Sequence, residues 1–214
     1  SAAGNSVGTT DPDAGPGLVE VTLSVSNGTL TLDLLPTPTG GETLANTTTA
    51  GSQVAPDIAF APDGSFVVTW QSFNEDGSCW GIYAQRYAAS GAALGSQFAV
   101  NTMTAGAQSA PVIAMNGSGG FVIAWECASL DGSGQAIVAR RFDAAGNPLG
   151  GEILVNTTTA LDQRNPSLAA DAAGNFVVIW ESEDQDGDFF GVFGQRFDAS
   201  GAALGGEFQV NTTT

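Results

Sequence analysis

An interval of 55 residues repeats through most of this chain and constrains its fold more than any other feature. The motif NTTT begins at Asn46, returns as NTMT at Asn101, and appears again as NTTT at Asn156 and Asn211. The same interval separates the members of two further sets, which are Trp70, Trp125 and Trp180, and Arg86, Arg141 and Arg196. Agreement of this kind without an insertion predicts tandem copies of one structural unit.

Each unit is predicted to contain four short strands. In the first unit they cover residues 57–59, 66–71, 82–87 and 97–101, and turn sequences such as PDG, NEDG and ASG separate them. The second strand reads FVVTW, FVIAW and FVVIW in the three units, an almost unbroken apolar run that indicates burial on both faces. We therefore predict an all-β protein of four-stranded blade repeats, either a β-propeller-like ring or a stacked array of blades.

The repeat also predicts the organisation of the chain. Residues 1–17 are small, polar and rich in Gly and Pro, which is typical of a flexible segment or linker. Residues 18–45 contain an Asn-Gly turn between alternating strands, so we expect a β-hairpin or a partial, degenerate blade. Repeats 1, 2 and 3 then cover residues 46–100, 101–155 and 156–214, the last including a terminal strand.

The charge of the chain excludes several classes of function. Asp and Glu total 22 against five Arg, with no Lys and no His, so the formal net charge is −17. Nucleic acids and anionic membranes should repel such a chain, and no apolar run approaches the ~20 residues of a membrane span. Without imidazole or a lysine amine, carboxylates are the main groups left for catalysis, and we expect no enzymatic activity.

The loop after the second strand places oxygen-bearing side chains two residues apart before a glycine, as in the first half of an EF-hand loop. Candidate Ca²⁺ ligands in the three units are Asn74, Asp76, Asp131, Asp184, Asp186 and Asp188. The position that needs a bidentate Glu holds Phe193 instead. The alternative is an Asp-Gly turn that closes a hairpin.

The same loops contain aromatic residues and two cysteines. Trp80, Phe189 and Phe190 are candidate glycan-stacking residues, and local packing is the alternative. Cys79 and Cys127 occupy loops that would be neighbours on one face of a propeller, so we expect a disulfide, with buried thiols as the alternative. The repeated arginines are expected to clamp a neighbouring carboxylate or carbonyl.

The repeat pattern resembles sequences in known proteins. The series NTxT, DGxFVVxW, DGxxxGIYAQRF and GGEFxVNTxT resembles tandem repeats of very large secreted bacterial surface proteins that also carry hemolysin-type calcium repeats. The segment VTLSVSNGTLTL, residues 21–32, resembles the opening of the cadherin-like modules in such proteins. The resemblance implies an extracellular, adhesive or structural role, although the glycine-rich calcium nonapeptides are missing here.

These observations lead to one expected function and two alternatives. We expect a non-enzymatic structural or adhesive module of a bacterial surface or fibre-forming protein, which associates with copies of itself through exposed blade faces and strand edges. The first alternative is a carbohydrate-binding propeller with loop sites for surface glycans. The second is a glycosidase, which needs two facing carboxylates that no sequence pattern singles out.

Overall fold

Three four-stranded antiparallel sheets form the part of the protein that the computed structural model describes, residues 44–128 and 130–212. Blade 1 contains β1 (Gln53–Phe60), β2 (Phe66–Phe73), β3 (Trp80–Tyr87) and β4 (Phe98–Ala99). Blade 2 contains β5 (Gln108–Met115), β6 (Phe121–Ala128), β7 (Gln135–Phe142) and β8 (Ile153–Leu154). Blade 3 contains β9 (Gln163–Ala170), β10 (Phe176–Glu183), β11 (Phe190–Phe197) and β12 (Phe208–Gln209).

The strands of each blade follow sequence order across the sheet, and the first strand β5 of blade 2 contacts both β1 and β9. This arrangement is the blade array of a β-propeller, so the predicted fold class is confirmed. The predicted residues 18–45 lie outside the described residues, apart from the last two. Within the described ranges, no helix is long and apolar enough to cross a membrane.

The first strand of each blade is longer than the sequence predicted because it contains a β-bulge. The register of β1 against β2 shifts between Val54 and Asp57, and Ala55 adopts a positive φ of 51° there. Ala110 and Asn165 repeat this conformation in β5 and β9, with φ values of 50° and 53°. A bulge adds a residue to one strand and changes the direction of its backbone groups. The fourth strands are shorter than predicted, at two residues each.

Apolar clusters fill the two spaces between neighbouring blades. In β6, Ile123 and Trp125 pack toward blade 1, whereas Val122 and Ala124 pack toward blade 3. This alternation explains why the second strand is apolar along its whole length, as the sequence predicted. The repeated tryptophans are buried in the core.

Polar clamps join the blades at their outer side. Arg86 donates from Nη1 to the carbonyl oxygen of Ala145 at 2.6 Å, and Arg141 donates in the same way to Ala199 at 2.6 Å. A Cβ on Gly146 would lie 2.8 Å from Cδ of Arg86, so this glycine lets the arginine cross the turn. The prediction that the repeated arginines clamp a neighbouring carbonyl is confirmed for Arg86 and Arg141.

The NTxT motif supplies a second kind of junction. Asn156 accepts from the backbone N–H of Ile137 in blade 2 at 2.8 Å and donates to Oε1 of Gln163 in blade 3 at 3.1 Å. Asn101 makes the corresponding bonds to Ile82 and Gln108, at 2.7 and 3.3 Å. The 55-residue spacing of this asparagine thus follows from its repeated position between two blades.

Turns at the opposite end from these junctions are held by aspartates. Asp143 accepts from the backbone N–H and the side-chain amide of Asn147 at 2.8 and 2.9 Å. Those bonds favour the ionised carboxylate and hold the pKa of Asp143 below its usual value. Asp171 and Asp198 have lowered pKa values for the same reason, through Asn175 and Ser200 respectively.

Candidate functional site

The loops between the second and third strands of the three blades form one end of the propeller, here called the loop face. It comprises residues 74–79, 130–134 and 184–189. Each of these loops lies beside the start of a first strand. Ser133 accepts from the N–H of Leu161, and Asp162 accepts from the N–H of Gln135 at 2.8 Å. The loop face therefore brings together side chains from all three repeats.

Exposed aromatic side chains lie at two places on the loop face. Trp80 makes an edge contact with Phe73, with ring centroids 5.1 Å apart and planes at 66°. In blade 3, Phe189 is 80% exposed, and the Arg164 guanidinium lies 4.7 Å from the centroid of the Phe190 ring. The predicted ligand-binding residues are therefore divided between blades 1 and 3, and sugar binding by them stays a prediction.

A row of polar side chains occupies the ends of the second strands, 55 residues apart. Its members are Gln71 in β2, Glu126 in β6 and Glu181 in β10. Oε1 of Gln71 accepts from the N–H of Ala110 at 2.8 Å, and Oε1 of Glu126 accepts from the N–H of Asn165 at 2.8 Å. Each acceptor thus holds the bulged residue of the next blade.

Glu126 and Glu181 meet at one residue. Asn165 donates its backbone N–H to Glu126 and its side-chain Nδ2 to Oε2 of Glu181, both at 2.8 Å. Glu126 also accepts from the Ser109 hydroxyl at 3.1 Å and is 9% exposed, whereas Glu181 is half-buried. Two carboxylates from neighbouring blades therefore contact the same residue, Asn165.

A third carboxylate lies on a first strand. Asp57 in β1 accepts from the N–H of Ile113 in β5 at 2.8 Å, so it too joins two blades. The equivalent positions in the other blades are Val112 and Ser167. Sequence reasoning missed Asp57, Glu126 and Glu181. The change from Gln71 to glutamate at the equivalent positions was the signal that could have found two of them.

The electrostatic character of the loop face is negative. Burial, together with the neighbouring Glu75 and Asp76 carboxylates, raises the pKa of Tyr83 to about 12. Glu75 accepts from the Thr48 hydroxyl at 2.8 Å and from the Gln97 amide at 2.5 Å. Neutral hydroxyl-rich ligands suit this surface better than anions.

The predicted calcium ligands lie in loops where no metal-binding cluster is already assembled among the described residues. Among residues 44–128 and 130–212, no group of three or more carboxylate or thiol side chains could hold a metal ion. The six predicted ligands lie in turns; they are Asn74, Asp76, Asp131, Asp184, Asp186 and Asp188.

The backbone of the three loops adopts turn conformations. Asn74 and Asp184 have positive φ values of 60° and 53° and begin six-residue loops. One aspartate in each loop accepts from the backbone N–H two residues later. These aspartates are Asp76, Asp131 and Asp186, at 3.0, 3.2 and 3.4 Å. Each carboxylate has a second oxygen and further lone pairs, so an Asx turn does not by itself exclude a metal. The loops follow the Asp-Gly turn alternative, and calcium binding at the six residues stays a prediction.

The predicted disulfide is not formed, and both cysteines are free thiols. Cys127 is buried in the cluster between blades 1 and 2, where the Gln108 amide lies 3.9 Å from its sulfur. Burial raises the pKa of this thiol. Cys79 is exposed in a loop whose conformation is set by the bond from the N–H of Asn74 to its carbonyl, at 2.7 Å. Cys127 lies in β6 and not in a loop as predicted, so the two side chains occupy different environments.

Comparisons with known proteins place the fold. No protein-family model matches this chain, and a search of curated proteins finds no relative. An endo-arabinase from Bacteroides thetaiotaomicron is similar with a TM-score of 0.50 at 12% identity, over 79% of this chain and 66% of that chain. A thermostable family-43 glycoside hydrolase has a TM-score of 0.48 at 13% identity, over 76% and 55%.

An arabinanase from Bacillus subtilis has a TM-score of 0.41 at 17% identity, over 76% of this chain and 60% of that chain. The chain thus spans 55–66% of the length of these three structures. At such low identity the likeness to the endo-arabinase shows the β-propeller fold alone.

The expected function was wrong. We expected a non-enzymatic structural or adhesive module, whereas the endo-arabinase that shares its fold is, by its name, an enzyme. The repeats predict the blades, and the net charge indicates which partners the chain repels. Neither shows which side chains the blades bring together. The lack of His and Lys excluded little, because glycoside hydrolysis uses carboxylates.

Proposed function

We propose that this chain is a carbohydrate-active propeller module that hydrolyses glycosidic bonds in polysaccharides at its loop face. The observation that carries the proposal is the pair Glu126 and Glu181, both hydrogen-bonded to Asn165. Most glycosidases act with two carboxyl groups about 5–10 Å apart, flanking the scissile bond. Contact with one shared asparagine is compatible with that separation.

The roles of the two carboxyl groups follow from their access to water. Glu126, 9% exposed, would protonate the glycosidic oxygen as the bond to the anomeric carbon breaks. Glu181, half-buried and therefore nearer to solvent, would take a proton from the water whose oxygen forms the new bond to that carbon. One proton is given and one is taken, so the pair returns to its starting charge after proton exchange with solvent.

Blade 1 supports a role for charge at these positions. Gln71 holds the bulge of blade 2 with an amide oxygen, at the same 2.8 Å that Glu126 uses to hold the bulge of blade 3. An amide is therefore sufficient for the structural bond. The bulge needs an oxygen acceptor but no negative charge, so the charge of Glu126 and Glu181 supports a chemical role for them.

The surface near this pair supports a glycan as the ligand. Aromatic rings pack against the apolar faces of sugars, and Phe190 lies on the same blade as Glu181, with Arg164 over its ring. The endo-arabinase that shares the fold is named for a polysaccharide substrate, and polysaccharides are the class we propose here. The resemblance of the repeats to those of secreted bacterial surface proteins supports an extracellular location.

The test is release of reducing sugar from a panel of plant and bacterial polysaccharides that includes arabinan. The variants Glu126→Gln and Glu181→Gln keep an oxygen acceptor for Asn165 and remove the charge and the acid function. We expect each to lower the rate by about 10²–10⁴-fold, the usual contribution of general acid–base catalysis.

A matched control is Glu152→Gln. Glu152 also accepts a backbone N–H, from Thr102, but this bond lies within repeat 2 and away from Asn165. Its substitution should leave the rate unchanged. Wild-type protein that releases no sugar from any substrate of the panel, or full activity in both site variants, would contradict the proposal.

A further inference from the structure

The two ends of the described blade array carry surfaces that are buried at the internal junctions. The trailing face of blade 3 comprises Val177, Ile179, Glu181, Val192, Arg196 and Val210. The leading edge of blade 1 comprises Ala55, Ile58 and the turn at residues 89–91. Equivalent positions in the other blades pack against a neighbouring blade.

The exposed fraction of one repeated valine differs between the trailing face and the internal junctions. Val100 and Val155 are 0% and 1% exposed, because each packs between its blade and the next. Val210, at the same position of the repeat, is 49% exposed. A valine that is fully buried at two junctions and half exposed at the third marks a face to which a further blade would add.

The leading edge shows the complementary difference. Ile113 in β5 is 6% exposed and belongs to the cluster between blades 1 and 2. Ile58, its equivalent in β1, is 46% exposed. At Val210 and Ile58, therefore, the two ends of the array expose apolar side chains whose equivalents the internal junctions bury, whereas Trp70 of blade 1 is 4% exposed.

The polar groups of the two ends also match in register. Ala55 has the same bulged conformation as Ala110 and Asn165, whose N–H groups are held by Gln71 and Glu126. Glu181 is the equivalent of those two acceptors in blade 3. The acceptor on the trailing face thus corresponds to an N–H group on the leading edge.

The arginine clamp repeats this match. Gly146 and Gly201 lie beneath Arg86 and Arg141, whereas a Cβ on Gly91 would meet nothing within 4 Å. Arg196 on the trailing face is the next arginine of the series. It has the reach to cross the turn at Gly91 as Arg86 crosses the turn at Gly146.

We propose that the trailing face of one copy docks on the leading edge of a second copy, which repeats the internal blade junction between molecules. Val210 then contacts the Ile58 side of the partner, Glu181 accepts from the bulge at Ala55, and Arg196 crosses the turn at Gly91. The contact is heterologous, so two or more copies form a closed ring or an open array according to the rotation between them. The proposal shares Glu181 with the proposed function, but its test measures association and not activity.

The test is the mass of the full chain by sedimentation over a wide range of concentration. We expect species heavier than the 21.6 kDa chain that increase with concentration. Val210→Asp removes the trailing face and Ile58→Asp the leading edge, and either should weaken association by roughly tenfold or more, because an unpaired carboxylate would be buried.

Mixing the two variants separates this geometry from others. The Ile58→Asp chain keeps an intact trailing face and the Val210→Asp chain keeps an intact leading edge, so an equimolar mixture should form one-to-one pairs that neither variant forms alone. A self-complementary contact between identical faces would give no such rescue.

The control is Leu149→Asp. Leu94, Leu149 and Leu204 are 38%, 45% and 43% exposed whether or not a blade follows, so their position takes no part in blade junctions. This variant should associate like the wild type. A 21.6 kDa species at all concentrations would overturn the proposal, as would a variant mixture that stays monomeric.

Discussion

Replacement of Asn156 by alanine should be among the most destabilising single changes in this protein. The side chain is 2% exposed and lies between blades 2 and 3. It accepts from the N–H of Ile137 and donates to Gln163 Oε1, Thr158 O and Asp131 Oδ2, at 2.8, 3.1, 2.9 and 3.0 Å. Its loss therefore leaves polar groups of two blades without their partner.

The magnitude follows from which of those groups are buried. Ile137 and Gln163 are both 0% exposed, so water reaches neither the N–H nor the amide oxygen in the intact fold. A buried polar group without a partner costs about 1–3 kcal/mol, which gives about 2–6 kcal/mol for the two. Domains of this size are stable by about 5–15 kcal/mol, so the change removes a large part of the total.

Asn46 provides a matched comparison inside the same chain. It occupies the same position of the repeat before blade 1, is half-buried, and donates to Thr48 O and Gln53 Oε1. Gln53 is itself partly exposed, so water can replace the lost bond. We expect Asn46→Ala to cost about 1 kcal/mol.

The assay is urea unfolding followed by tryptophan fluorescence, at one protein concentration and with the slope of the transition checked for each variant. The expected order of midpoints is wild type, then Asn46→Ala slightly lower, then Asn156→Ala far lower. Equal losses for the two variants, or a loss below about 1 kcal/mol for Asn156→Ala, would refute the idea that the motif stabilises the fold as a junction between blades.

Three further predictions concern titration and reactivity. A thiol reagent should modify the exposed Cys79 of the native protein rapidly and the buried Cys127 only after unfolding; equal rates would contradict the environments described here. The raised pKa of Tyr83 means that the folded state resists its ionisation, so stability should fall as pH rises from 10 to about 12, and Tyr83→Phe should reduce that fall in melting temperature. The lowered pKa of Asp143 gives the opposite dependence: its contribution is present above about pH 4 and is lost as pH falls below that value, and Asp143→Ala should show a weaker acid transition in circular dichroism.

The repeat in the sequence was sufficient to predict the blades. Apolar runs such as Phe176–Trp180 require two covered faces, and only a stack or ring of sheets covers both faces of every second strand. The spacing of Arg86 and its equivalents predicted a clamp because a guanidinium near a core needs a partner. Both inferences rest on local pattern combined with exact repetition, which the sequence displays directly.

The tertiary structure alone decided the candidate site, and it changed the interpretation of the loops. Glu126 and Glu181 are 55 residues apart in sequence, and they meet at Asn165 because a bulge in β9 directs its N–H toward the preceding blade. The alternating aspartates looked like calcium ligands because spacing is all that a sequence gives. In the structure these residues form turns, as Asp76 does. Repetition determines which elements form, whereas the convergence of side chains depends on bulges and blade junctions that only the folded chain defines.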